Sequence, residues 1–481
     1  MGVSIYTRDA AFLKPSVDGD RYWHSEIIIR NRIMLVLLMA SFSQERLSHF
    51  FSTAARIAFA VTVFLIPFRW RLEIWHRPFY PVYSDYTNFL LFASDVAMIY
   101  TLVFWAGSLI LFPRKLQIGS IFIFIGLAGL TLAGWVSVLA SADGILSCYL
   151  VMRFVLLFLF YLFIVNEIKS VNWVVVPVGM QILFQSIIVI LQVTSQTSLG
   201  LHALGELTLN PAESGTSVII ANGMRFLRGY GLSDHPNILG GCITFGLVLL
   251  LAAILYGNTR ARIISSIVFL PCFLALVMTF SRSAWVSFFV AGSFMVGVEA
   301  FARRWDSVKA VILLGVLSLL IVMPFIQKNI SLFQTRMNSG NMAQDNQMQE
   351  RAFLLDAGNT LFVEHVVVGV GLGSAPLAMK NRFENFPLNF QPPHYAILVA
   401  AMETGIFGGV FYLLLIAIPF ILFMSNWKFF LQKPAIIGAF ALLLSIMVAG
   451  LFDYYTWSYA YGRAWQWLGW GLFSAAMEKA A

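Results

Sequence analysis

Charge is scarce in this sequence. Asp, Glu, Lys and Arg make up only 11% of the 481 residues, against 59% apolar, and apolar runs repeatedly reach the roughly 20 residues that a helix needs to cross a bilayer. A water-soluble globule is excluded. Alternation of polar and apolar residues is missing too: membrane barrels show it in segments of about ten residues, whereas "ITFGLVLLLAAILYG" and "AVILLGVLSLLIVMPFI" are continuously apolar. A barrel is excluded with it. Cysteine is limited to Cys148, Cys242 and Cys272, in or beside apolar runs and without Cys-x-x-Cys or Cys/His spacing. Neither a disulfide framework nor a zinc site is suggested, and the three read as packing residues. Clustered basic sequence is absent as well. The net charge of +8 is scattered over short connections, which argues against nucleic acid as a partner. The polar N-terminus has no cleavable signal pattern, and "IMLVLLMASF" after it is too short to span. Residues 1–48 are expected to form a cytoplasmic or interfacial segment.

What is present is an all-α, polytopic bundle. Apolar windows of about 19 residues fall near 49–68, 88–112, 117–139, 145–165, 171–194, 237–256, 262–280, 284–301, 308–325, 395–424, 434–452 and 464–478. That makes about twelve spans, the last the shortest. Arg114, Lys115, Lys169, Arg260, Arg262, Arg303, Arg304, Lys309, Lys428 and Lys433 all fall in one alternate set of short connections, which is therefore expected on the cytoplasmic side with both termini. The long connections 69–87, 195–236 and 326–394 then lie on the outer face. The domain organisation follows: spans one to nine over 49–325, an outer loop domain at 326–394, and spans ten to twelve over 395–481.

The conspicuous polar residues share that outer face. "RFLRGYGLSDHPNILGG" carries Arg225, Arg228, His235 and Asn237; "TFSRSAW" carries Arg282; "QERAF" carries Glu350 and Arg351; His394 closes the last long loop; Asp453 ends the eleventh span. Taken singly, each has a structural reading. Arg282 can snorkel, Arg351 can pair with Glu350 or Asp356, His394 can be an interfacial ring, and Asp453 can cap a helix or pair with Arg463. Asp95 and Arg153, inside spans, must face the bundle interior or each other. "GVGLGS" lacks the lysine and hydroxyl of a phosphate loop and reads as a turn needing small residues; "GGCITFG" and "GIFGG" read as close-packing patches. Taken together, arginine forks near a histidine and a carboxylate suit an anionic, lipid-linked substrate.

The order Arg228-x-x-Gly231, Pro236-Asn237, Ser281-Arg282, Glu350-Arg351, "GVGLG", His394 and "METGIFGG" resembles the O-antigen ligase and polymerase superfamily over about residues 200–455. The resemblance implies a GT-C-like, metal-independent, cofactor-free membrane glycosyltransferase of the bacterial inner membrane. It would move a glycan from an undecaprenyl diphosphate donor in the periplasmic leaflet to an acceptor hydroxyl on a glycan, lipid or protein, with inversion, in lipopolysaccharide or surface-polysaccharide assembly. It implies Arg228, Arg282 and Arg351 as diphosphate ligands and His394 as base, with Asp453 placed as its partner and Arg225, His235, Asn237 and Glu350 as secondary candidates. Family members often follow the histidine with asparagine, where this chain has Tyr395. The alternatives are a polymerase joining lipid-linked repeat units and, from another class, a flippase, which would show repeats and interrupted spans with mid-membrane charges.

Overall fold

The computed structural model describes residues 44–337, 342–384 and 386–479. Most of the expected N-terminal segment therefore lies outside the described residues. Among the described residues, eleven helices are long and apolar enough to cross a membrane. They are α1 (Gln44–Leu65), α2 (Ala93–Leu111), α3 (Ile121–Ser137), α4 (Gly144–Glu167), α5 (Asn172–Ser195), α6 (Pro236–Tyr256), α7 (Thr259–Met278), α8 (Arg282–Phe301), α9 (Trp305–Lys328), α13 (Ala396–Ser425) and α15 (Pro434–Phe452). The expected twelfth span is α17 (Ala460–Glu478). Its 19 residues reach about 28 Å, but Arg463, Gln466 and three tryptophans dilute its apolar character. It is buried along most of its length against α4 and α15. Shorter helices are α10 (Ile330–Met337), α11 (Met342–Glu364), α12 (Ala375–Arg382), α14 (Trp427–Phe430) and α16 (Tyr455–Ser458).

Two small antiparallel hairpins interrupt the helical pattern: β1 (Arg71–Trp75) with β2 (Phe89–Phe92), and β3 (Val218–Ala221) with β4 (Met224–Leu227). Hydropathy ran the second span back to residue 88. The chain instead keeps "FLLF" as strand and starts the helix at Ala93. Asp95 fixes that boundary, because its Oδ2 accepts the Phe92 N–H at 3.0 Å at the open end of α2. Both oxygens of the same carboxylate accept from Arg153 Nη2, at 2.8 and 2.7 Å. Asp95 and Arg153 are a structural pair.

Helix α6 is the centre of one half of the bundle, with α5, α7, α8 and α15 around it. A helix apolar on all sides belongs in such a place. Its glycines permit the approach: a Cβ on Gly240 would sit 2.9 Å from Thr279 Oγ1, and one on Gly246 2.5 Å from Ile182. In the other half α3 lies along α13. Here α13 is broken at Gly405, where φ is +70° and ψ −175°. The "GVGLGS" turn fills the break. Val370 and Gly371 donate to the carbonyls of Met402 and Glu403 at 2.9 and 3.0 Å, and Ile406 donates to Val366 O at 2.7 Å. Gly369, Gly371 and Gly373 all take positive φ, and a Cβ on Gly369 would lie 2.5 Å from the Glu403 backbone. The glycines serve a helix joint, as a turn of small residues should.

Successive spans alternate in direction. The connections 66–92, 196–235, 279–281, 329–395 and 453–459 therefore collect at one end of the bundle. The arginines and lysines of the short loops collect at the other.

Candidate functional site

At the long-loop end four connections enclose a cleft of about 460 Å³. Its first wall is the start of α6. Pro236 at the first helical position leaves no amide to satisfy, and His235 caps the helix: its Nδ1 accepts the Asn237 N–H at 3.1 Å. A neutral His235 therefore carries its proton on Nε2. Burial, with Arg228, His394 and Arg336 pushing the same way, lowers its pKa to about 3. His235 stays neutral and orients the helix end.

Asn237 joins two of the expected residues. Its Nδ2 donates to Asp453 Oδ2 at 3.0 Å, and its Oδ1 accepts from Arg228 Nη2 at 2.6 Å. Arg228, 5% exposed, also donates through Nε to Thr279 O at 2.9 Å and through Nη1 to Ser217 Oγ at 2.8 Å. Three of its five N–H groups are thus committed to protein. Burial and then Arg336 lower its pKa to about 9. The motif glycine three residues on has its own reason: Gly231 takes φ +56°, and its backbone exchanges two bonds with the Gln192 side chain, at 2.8 and 3.0 Å. A Cβ there would lie 2.4 Å from Gln185 Oε1.

The second wall is His394, on the extended segment before α13. Pro392 and Pro393 favour extended backbone ahead of it, and Tyr395 N donates to Pro393 O at 2.7 Å. The His394 ring stands edge-on to Tyr454, with centroids 5.0 Å apart. Its Nδ1 is buried with no partner among the described residues. Burial lowers the His394 pKa; Asp453 opposes the shift and Arg351 adds to it. The shift favours the neutral ring, and its Nδ1 is open to an incoming partner.

Behind these residues the structure gathers cations. Arg282 opens α8, Arg351 lies on α11, and a residue missed in the sequence, Arg336, lies between them on α10. Arg336 Nε donates to Phe280 O at 3.1 Å, next to Arg282. Burial first, then the charges of Arg282 and Arg351, lowers the Arg336 pKa to about 10. Among the described residues no carboxylate lies within ion-pair distance of Arg228, Arg336 or Arg351. Like charges so collected make a strong field for a polyanion. The available signal for Arg336 was a lone cation in "SLFQTRM" following an apolar run.

Other candidates fall elsewhere. Arg225 is exposed and holds the carbonyls of Pro211 and Glu213 in its own loop. Glu350 accepts from Gln391 Nε2 at 2.9 Å, supporting the segment before His394. Arg463 donates to Trp457 O and makes no ion pair with Asp453. Among the described residues no group of three or more His, Cys, Asp or Glu side chains is placed to hold a metal ion.

A search of curated proteins finds no match to the chain. A family model described as O-Antigen ligase matches residues 267–413. That segment runs from within α7 to within α13 and contains Arg282, Arg336, Arg351, the glycine turn and His394. Over these residues the match supports the resemblance to the O-antigen ligase superfamily; Arg228, Gly231, Pro236 and Asn237 lie outside it.

Proposed function

We propose that this chain is an inverting glycosyltransferase of the bacterial inner membrane. It would transfer a glycan from undecaprenyl diphosphate to an acceptor hydroxyl at the periplasmic leaflet. One observation carries the reading: Arg228, Arg336 and Arg351, with no carboxylate at ion-pair distance among the described residues, converge with Arg282 next to a histidine with an open nitrogen.

Guanidinium forks fit phosphate oxygens bidentately, and a charge-assisted bond contributes about 1.5 to 3 kcal/mol. The acceptor oxygen attacks the anomeric carbon as the bond to the diphosphate oxygen breaks. The bonding electron pair leaves with the diphosphate, and the acceptor proton passes to His394. Negative charge grows on the leaving group during this step. The arginines therefore hold the transition state more tightly than the ground state, which is what accelerates the reaction. Asp453, held by Asn237, favours the imidazolium that forms. No metal or organic cofactor has a role in this scheme.

An interrupted span is present at Gly405 of α13, where backbone hydrogen bonds from the glycine turn close the break and Glu403 beside it lines a pocket with Arg153 and Arg463. Transport of a lipid-linked glycan without donor consumption is the result that would favour a flippase.

The test is purified protein with a defined undecaprenyl diphosphate oligosaccharide, with and without candidate acceptors, followed by mass spectrometry. Wild type should consume donor, and His394→Ala should lose about 10²- to 10⁴-fold in rate. Consumption within twofold of wild type by His394→Ala would sink the base assignment. A ladder of lipid-linked products would mark a polymerase, and a single transfer a ligase.

A further inference from the structure

The arginines do not line the cleft. Its walls carry Asp85, Asp234 and Asp453, the amides of Asn389 and Gln391, and a set of tyrosines, with no lysine or arginine among the lining residues. The rings form a continuous series. Tyr83 meets Tyr86 at 6.0 Å between centroids, Tyr86 meets Tyr459 at 6.3 Å, Tyr459 meets Tyr454 at 6.1 Å, and Tyr454 meets His394 at 5.0 Å. The outer member, Tyr83, is 56% exposed. The series therefore leads from solvent to the proposed base.

The hydroxyls are ordered and neutral. Tyr86 and Tyr454 share a bond of 2.7 Å, and Tyr454 donates to Gln391 Oε1 at 3.4 Å. Burial raises the Tyr86 pKa to about 12 and that of Tyr454 well above 10. Arg71 bridges Asp85 and Asp234 from outside the cleft lining.

We infer that this tyrosine and carboxylate wall is the acceptor subsite, and that it takes a sugar ring without negative charge: a neutral or amino-bearing pyranose, with a hydroxyl presented to His394. The C–H face of a pyranose is weakly positive and packs on the electron-rich face of an aromatic ring. Carboxylates and amides accept and donate to ring hydroxyls. Asp85 and Asp234 are already answered by Arg69 and Arg71. A uronic acid or phosphorylated sugar would therefore find no lysine or arginine in the lining to pair with and would lie beside Asp453, which has no ion pair among the described residues. An anion desolvated without a partner is costly. The inference rests on the glycosyl-transfer reading only for the direction of attack. The binding it asserts is separate.

The test uses the full chain in lipid nanodiscs without donor. Saturation-transfer NMR is recorded on matched methyl glycosides of glucose, glucosamine and glucuronic acid, and on the galacto series. Saturation should pass from aromatic protons to the neutral and amino glycosides. The uronides should bind at least about tenfold more weakly, a difference of about 1.4 kcal/mol. Tyr83→Ala and Tyr86→Ala should each weaken the neutral sugars, while Tyr80→Ala, exposed and off the cleft lining, should not. Equal or tighter uronide binding, no binding of any glycoside, or unchanged binding in both Tyr83→Ala and Tyr86→Ala overturns the subsite. Binding without any donor consumption leaves the subsite standing and removes glycosyl transfer. Donor consumption with an acceptor KM unmoved by Tyr83→Ala and Tyr86→Ala removes the subsite alone.

Discussion

Arg69 and Arg71 lie a few residues from the same cleft as Arg336 and Arg351, yet the two pairs live in opposite electrostatic surroundings. Arg71 is buried and bridges Asp85 and Asp234, and Arg69 holds Asp234 at 2.5 Å, with the Tyr461 hydroxyl donating to the same carboxylate. Every charge there has an answer in the fold. Arg336 and Arg351 have no carboxylate within ion-pair distance among the described residues, and repulsion helps to lower the pKa of Arg336. An unanswered cation cluster is costly to build. The contrast separates arginines paired within the fold from arginines that, on the proposed reading, wait for an anion.

That contrast can be broken by experiment. The largest effect is expected at the paired side: Arg71→Met leaves Asp85 and Asp234 without their bridge and should cost about 3 to 5 kcal/mol of stability, measured by thermal unfolding in detergent. Its donor KM should hold. The unpaired side should behave in reverse. Arg336→Ala combined with Arg351→Ala removes two charge-assisted contacts of about 1.5 kcal/mol or more each, so donor KM should rise at least about 100-fold with the unfolding temperature unchanged or raised. A lowered unfolding temperature with unchanged KM would erase the distinction. Next comes the link between the two sides. Asn237→Ala frees Asp453 from Arg228 and should lower kcat about tenfold at constant donor KM.

The smallest effect is on pH dependence. The His394 pKa is lowered, so the ring remains a base below its ordinary value of 6.5, and the acid limb of kcat/KM should fall below pH 6.5. Arg351 lowers that pKa and Asp453 raises it. Arg351→Gln should therefore move the limb up, and Asp453→Asn should move it down, in rate profiles at saturating acceptor. Movement of both in the same direction would refute the electrostatic picture of His394.

Much of the fold was legible because hydropathy is a local property. Runs such as the one that becomes α6 are apolar over a whole span. Side of the bundle was legible from charge bias, and it brought Arg228, Arg282, Arg351, His394 and Asp453 to one end. Two kinds of information were not local. "FLLF" before Ala93 is as apolar as the helix it precedes, and only the Asp95 carboxylate at the Phe92 N–H marks the boundary. The tyrosine series joins "YPVYSDY" to "DYYTWSYAY" across 368 residues between Tyr86 and Tyr454. Tyrosine density in those two stretches was the available signal. Likewise, nothing in the order of residues says that three of the Arg228 donors are already engaged.

The joint at Gly405 sets limits on what can disturb His394. The first turns of α13 are bolted to the glycine turn and so move with the loop module, while the remainder of the helix is a separate rod along α3. Bilayer thickness, lipid tilt or sequence drift along Ile406–Ser425 can bend that rod without turning the histidine. One residue inserted between Ala396 and Thr404 would instead rotate the short upper piece by about 100° and swing the ring out of register with Asp453. Tolerance to insertion should change abruptly at one glycine.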